Sequence, residues 1–235
     1  MSSKFLLKIF QRLNYIFNYF FVTQINEKKL YKKYIPNSNM TVIDIGSNLG
    51  TFSKQISDIL KSNTLNIYSF EPIKGLLNSQ KIKYGNLYKF NYLVADKNSF
   101  IDFYEHEISS QSSIMPNDKL GNQNVVKTSK EAITLEKALN LANVDQVDLL
   151  KLDTEGNELS ILNSSQHLLS KNIFKIIKVE ISFLLNNKYS DKNFNQINSL
   201  MVKNNYIFLG FSNAHYQDNK ILFFDAFYIK DYLLS

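Results

Sequence analysis

Between residues 42 and 50 the chain reads Val-Ile-Asp-Ile-Gly-Ser-Asn-Leu-Gly, the segment that most restricts what the rest can be. A β-branched run over 40–45 stops at Gly46, and residues 51–60 carry the pattern of a helix. The small turn residues let backbone approach a ligand closely, and the helix behind them presents open N–H groups. The spacing is G-x-x-x-G. It lacks the G-x-G-x-x-G of dinucleotide binders and the Gly-Lys-Ser/Thr ending of a phosphate loop, so alone it reads equally as a nucleotide-type loop or a structural turn.

The chain around it alternates strand and helix. Strands are predicted over 65–70, 87–94, 146–152 and 174–181, with helices over 76–83, 155–169 and 193–203. An excursion over 98–141 holds a β-hairpin around 100–106, a polar loop over 109–124 and a short helix over 134–141. Two final strands, 206–211 and 221–229, are joined by a polar loop over 212–219 and must be antiparallel to each other. Such alternation implies a mostly parallel sheet covered on both faces. The expected organisation is an N-terminal helical extension over 1–38 and one catalytic domain over 39–235, a size that suits 235 residues.

Residues 5–25 are rich in Phe, Leu, Ile and Tyr but are interrupted by Lys8, Gln11, Arg12, Asn14 and Asn18. That excludes a membrane span and a signal peptide, which need unbroken apolar runs. Apolar residues at three- and four-residue steps predict an amphipathic helix. Its apolar face is expected to pack on its own domain or in a homodimer, or else to lie on a membrane surface with Lys4, Lys8 and Arg12 at the interface.

With no Cys at all, disulfides, thiolate nucleophiles and Cys-ligated metals are excluded. The formal charge of +6 suits an anionic partner such as a sugar nucleotide or a phospholipid surface. Glu71 closes the second predicted strand, where an acidic residue can accept both hydroxyls of a ribose. Asp96 follows the third, where an adenine edge would fall. Either carboxylate alone would be an ordinary solvated strand end.

Four stretches together go further: VIDIGSNLGTFS (42–53), FEP (70–72), TLEKAL (134–139) and VDLLKLDTEGNELSIL (147–162). On these the chain resembles the FkbM family of S-adenosylmethionine-dependent methyltransferases, over roughly residues 41–181. It departs by Ser47 where Ala is usual and by Lys97 after Asp96. The resemblance implies an α/β class I methyltransferase fold, Rossmann-like, whose seven-stranded sheet is mostly parallel with the last strand antiparallel. It also implies O-methylation of a sugar, polyketide or related hydroxylated metabolite in the cytoplasm. The expected cofactor contacts are Asp44, Gly46, Ser47, Asn48, Gly50, Glu71 and Asp96.

An aliphatic hydroxyl is a poor nucleophile near neutral pH and needs a base or a metal to favour its alkoxide. Asp153 ends the fourth predicted strand and Glu180 nearly ends the fifth, so both are expected at the crevice above the carboxyl edge of the sheet. The pair suits Mg²⁺ or Mn²⁺, or either carboxylate is a base. Glu155 is a third candidate, with helix N-terminal charge stabilisation as its other role. His215, in the polar loop over 212–219, is the alternative base. A small-molecule or glycan acceptor is expected, most simply a sugar hydroxyl, with the 109–124 loop and the N-terminal helix giving specificity. Nucleic acid is not expected: the chain has no Pro-Pro, which base amino-methyltransferases carry after the fourth strand.

Overall fold

The computed structural model describes residues 24–36, 38–106, 112, 125–183, 186–218 and 220–234. Helix α1 (Glu27–Tyr34) starts at an Asn26 cap whose side chain accepts the Lys29 N–H at 3.1 Å, satisfying a donor that the first turn leaves open. Then come β1 (Met40–Ile45), α2 (Thr51–Leu60), β2 (Leu65–Phe70), α3 (Lys74–Ser79), β3 (Asn86–Phe90) and β4 (Leu93–Val94). Strands β5 (Ser99–His106) and β6 (Val125–Ile133) precede α4 (Leu135–Ala142), β7 (Val147–Leu152), α5 (Glu158–Ser164) and α6 (Gln166–Ser170). The chain continues through β8 (Phe174–Ser182), α7 (Asn186–Lys203), β9 (Tyr206–Gln217) and β10 (Lys220–Lys230) to a 3-10 turn at Asp231–Leu233.

The main sheet has the order β3-β2-β1-β7-β8-β10-β9. Every pairing from β3 through β8 is parallel, and β10 is antiparallel to both its neighbours. This is the mostly parallel, seven-stranded class I methyltransferase sheet that the sequence implies. Alternate residues of its central strands feed opposite layers, as the two-residue period requires. Ile43, Ile45, Leu150 and Leu152 pack with α4 and α5, while Met40, Val42 and Leu149 pack with Leu30, Tyr31 and Ile56 of α1 and α2. Helix α1 thus belongs to the core of the sheet's second face, although it falls within the predicted extension.

Several boundaries differ from expectation. The single strand predicted over 87–94 is two. After Phe90 the chain leaves the half-exposed edge strand β3, and Leu93 and Val94 instead pair with Ala132 and Ile133 in a small sheet of order β4-β6-β5. The helix predicted over 155–169 starts only at Glu158 and breaks at Ser165, because Glu155 and Gly156 take positive φ of 56° and 104°. The final strands extend through the predicted loop, so His215 sits within β9 opposite Phe223 rather than in a loop. Of the predicted helix over 5–25 only Gln24 and Ile25 are among the described residues, and Gln24 forms a β-bridge with Phe211. No described helix is long and apolar enough to cross a membrane.

Candidate active site

Strand β1 is flanked by β2 on one side and β7 on the other, so the connections leave its carboxyl end in opposite directions and open a crevice there. The turn after β1 is shaped by two glycines. Gly46 has φ +71°, and a Cβ on it would lie 1.8 Å from the Asp153 carbonyl oxygen. Only glycine lets the turn press against the end of β7. Gly50, with φ +75°, starts α2, and a Cβ there would meet Gln80 Cγ at 2.9 Å.

Ser47 turns its side chain inward and borders a neighbouring cavity rather than the crevice. Its hydroxyl is buried, accepts from Ser69 Oγ at 2.7 Å and Gln80 Nε2 at 2.8 Å, and lies 3.3 Å from the Phe70 carbonyl. Asp44 is equally enclosed, accepting from Ser53 Oγ at 2.7 Å with Lys151 Nζ 3.4 Å away. Both side chains therefore brace the turn from beneath. Asn48 and Gly46 do line the crevice, with Phe70, Glu71, Pro72, Ile73, Tyr92 and Val94. Asp96 does not: it is exposed beyond β4.

Glu71 is 5% exposed at the end of β2. One carboxylate oxygen accepts the Asn48 N–H at 2.8 Å and the other the Ile73 N–H at 2.9 Å. Burial raises its pKa above the usual carboxylate value, while these two bonds oppose the shift. The carboxylate ties the glycine turn to the segment after β2 and keeps lone pairs for hydroxyl donors. The crevice holds a cavity of about 90 Å³. From the predicted specificity loop only Ser112 is among the described residues, and it lines this crevice.

At the β7 end, Asp153, Glu155 and Glu180 bring carboxylate oxygens within 4.8 Å of one another. The structure thus assembles the predicted pair and adds the third member. Burial, then the negative charge of Asp153, raises the pKa of Glu155 to about 8 and pushes that of Glu180 well above the carboxylate range. Close like charges cannot all ionise cheaply out of water, so the cluster retains protons. Glu155 reaches it from a left-handed backbone held by Glu158. That buried side chain accepts the Thr154 N–H at 2.6 Å, the Thr154 hydroxyl at 2.8 Å and the Gly156 N–H at 3.1 Å. The helix-start acid is therefore Glu158, and Glu155 is free of that duty. His215 joins neither crevice nor cluster; its exposed ring stacks on Phe223 at 4.2 Å.

Beyond the cluster a second cavity of about 410 Å³ is lined by Asn48, Leu49, Phe52, Gln55, Asp153 and Asn213, with two buried lysines, Lys151 and Lys178. Lys151 Nζ lies 3.0 Å from Asp153 and donates to the Gly46 carbonyl at 3.1 Å. Burial works against its charge, but Asp153 and Asp44 outweigh burial and hold the pKa above the ordinary lysine value. Lys178 bonds Glu27 of α1 at 3.1 Å and Asp225 of β10 at 3.0 Å. Sequence reasoning missed both. The available signal was a cation in each of two buried strands, VDLLKL and FKIIKVEIS, which the register places side by side.

The sheet order, the glycine turn and the acidic residue ending β2 define a class I methyltransferase. The profile of the methyltransferase FkbM domain matches residues 44–208, and the chain belongs to that family. Among solved structures it is similar to the FkbM methyltransferase from Methylobacillus flagellatus KT, at 13% identity and a TM-score of 0.50 over 81% of this chain and 44% of that one. The chain thus spans less than half of that protein's length. It is also similar to the Methanococcus jannaschii fibrillarin pre-rRNA processing protein, at 11% identity and a TM-score of 0.47 over 84% of this chain and 69% of that one. The magnesium protoporphyrin IX methyltransferase from Synechocystis PCC 6803, solved with bound SAM, is 10% identical, with a TM-score of 0.42 over 83% of this chain and 71% of that one. At such identities the likeness concerns the fold. No curated protein matches the chain.

Proposed function

We propose that the chain is an S-adenosylmethionine-dependent O-methyltransferase whose acceptor is a sugar hydroxyl, on a nucleotide-activated sugar or a capsular or lipopolysaccharide glycan. The observation that carries this reading is the convergence of Asp153, Glu155 and Glu180 at the end of β7, beside the glycine turn. The cofactor, when bound, supplies an electrophilic methyl group on a sulfonium. Glu71 would accept the ribose hydroxyls, and Gly46 and Asn48, which line the crevice with it, would hold the cofactor. Asp153, fixed by Lys151, would orient the acceptor hydroxyl, and the ionised fraction of Glu155 or Glu180 would take its proton as the S–CH₃ bond breaks and the O–CH₃ bond forms. Holding oxygen and methyl in line supplies much of the remaining acceleration.

A second reading has a specific observation in its favour. Three hard oxygen donors so close together have the chemistry to hold Mg²⁺ or Mn²⁺, which would displace the retained protons. Asp153 and Glu180 would be its ligands with Glu155, and the ion would lower the pKa of a bound hydroxyl.

Transfer of labelled methyl to a panel of nucleotide sugars tests both. Under the base reading Glu155→Gln or Glu180→Gln lowers turnover by about 10²–10⁴-fold while chelator leaves the unmodified protein active. Abolition by chelator, with restoration by Mg²⁺ or Mn²⁺, selects the metal. Full activity in both variants and in chelator would overturn both readings of the cluster.

A further inference from the structure

Helices α1 and α2 pack side by side, and between them runs an open groove of about 820 Å³. Lys28, Lys32, Lys54 and Lys61 line it, all exposed. Among the described residues none of the four has a carboxylate within 4.0 Å, whereas Lys127, Lys130, Lys151, Lys175 and Lys178 all do. The groove's acids do not balance them. Glu27 is buried and committed to Lys178, Tyr31 and Ser212, which leaves Asp58 as the one outward-facing carboxylate of the groove among the described residues.

Position gives this charge its meaning. Thr51 and Gln55 line both the groove and the 410 Å³ cavity that holds Asp153, so the two share a rim. The shared rim is the first turn of α2, which has no acidic residue and no side-chain cap on Gly50. The positive end of that helix adds to the field of the lysines. An anion lying in the groove would place its uncharged end over the carboxylate cluster.

We propose that the groove between α1 and α2 binds a diphosphate carried by the acceptor, through Lys28, Lys32, Lys54 and Lys61, so that the attached sugar reaches Asp153. This rests on the O-methyltransferase reading and names the acceptor as a phosphorylated sugar. The diphosphate can come from a soluble nucleotide sugar or from a lipid-linked one, since the lysines read only the shared phosphates. Four exposed charges acting together make the interaction salt-dependent.

Calorimetry with inorganic pyrophosphate and uridine diphosphate, on the intact chain and on a K28Q/K32Q/K54Q/K61Q variant, tests the proposal, with S-adenosylhomocysteine titrated separately into each. Both probes should bind the intact chain, more weakly at high salt, and the variant should lose about tenfold in affinity for them while its affinity for S-adenosylhomocysteine and its melting temperature stay unchanged. Uridine diphosphate binding more tightly than pyrophosphate points to the nucleotide-linked source, and equal binding to the lipid-linked one. Absence of binding to both probes, or equal binding by the variant, would overturn the proposal. So would lysine-dependent binding to phosphatidylserine vesicles against which pyrophosphate does not compete, since the groove would then be a membrane surface. If pyrophosphate binds as expected and S-adenosylhomocysteine does not, the groove stands and the methyltransferase reading falls.

Discussion

The carboxylate of Glu155 places chemistry and stability in opposition. Its pKa in the folded protein, about 8, lies above that of the free carboxyl group, so the folded form keeps a proton that the unfolded form has already lost. The sign follows: the unfolded state binds fewer protons, and stability falls as pH rises from the ordinary carboxylate range to about 8, above which the penalty is complete. Glu155→Gln is expected to flatten that decline, so the variant melts higher than the unmodified protein near pH 8 while transferring methyl groups more slowly. Thermal denaturation across pH reads the first effect, and an unchanged decline would show that Glu155 is ionised throughout. Gly46 makes a steric demand instead. With positive φ and the Asp153 carbonyl in the way, Gly46→Ala should destabilise by more than about 1 kcal/mol, measured by urea unfolding. Residue identity alone pointed to Gly46, Glu71, Asp153 and Glu180 as residues at the crevice edge of the sheet, because strand ends at a switch point have one available direction. It left open which way Ser47 and Asp44 turn, since a short polar side chain in a turn can face the crevice or the layer beneath, and only the Ser69, Gln80 and Lys151 partners decide which.

Two polar devices hold elements in the pose the chemistry needs. Glu158 fastens the β7–α5 connection by three hydrogen bonds to Thr154 and Gly156, and the left-handed Glu155 depends on it. Glu158→Ala leaves buried N–H groups without acceptors and should cost about 1–3 kcal/mol. Because it also releases Glu155, turnover should fall with S-adenosylhomocysteine affinity unchanged; turnover that stays intact would separate the loop from catalysis. The second device joins α1 to the sheet. Lys178 neutralises Glu27 and Asp225, and Tyr31, Ser212 and Asn213 complete their hydrogen bonds. Lys178→Met would strand two enclosed carboxylates and is expected to cost about 3–5 kcal/mol by denaturant titration. The alternation of strands and helices was legible because periodicity reports burial. The split of the third strand, the late start of α5 and the length of the final hairpin were not, because tertiary pairing and positive φ at Glu155 set them.

At the scale of the whole molecule, a parallel sheet reversed at β1 opens one crevice, and the charged groups divide along it. Glu71 stands at the end of β2, the Asp153 cluster at the end of β7, and the exposed lysines of α1 and α2 along the groove between those helices. The mostly parallel sheet was readable from the alternation of strands and helices and from the family resemblance, while the lysine groove was not, because it forms only where α1, outside the motifs, packs beside α2. The central claim is that the glycine turn and Glu71 form a site for the adenosyl cofactor. Calorimetric titration of S-adenosylhomocysteine into the intact protein and into Glu71→Ala tests it most directly. The account predicts one site per chain and a loss of about 1.5–3 kcal/mol in the variant, the scale of removing hydrogen bonds to a charged group. Equal affinity in the two proteins, or no binding to either, would contradict it.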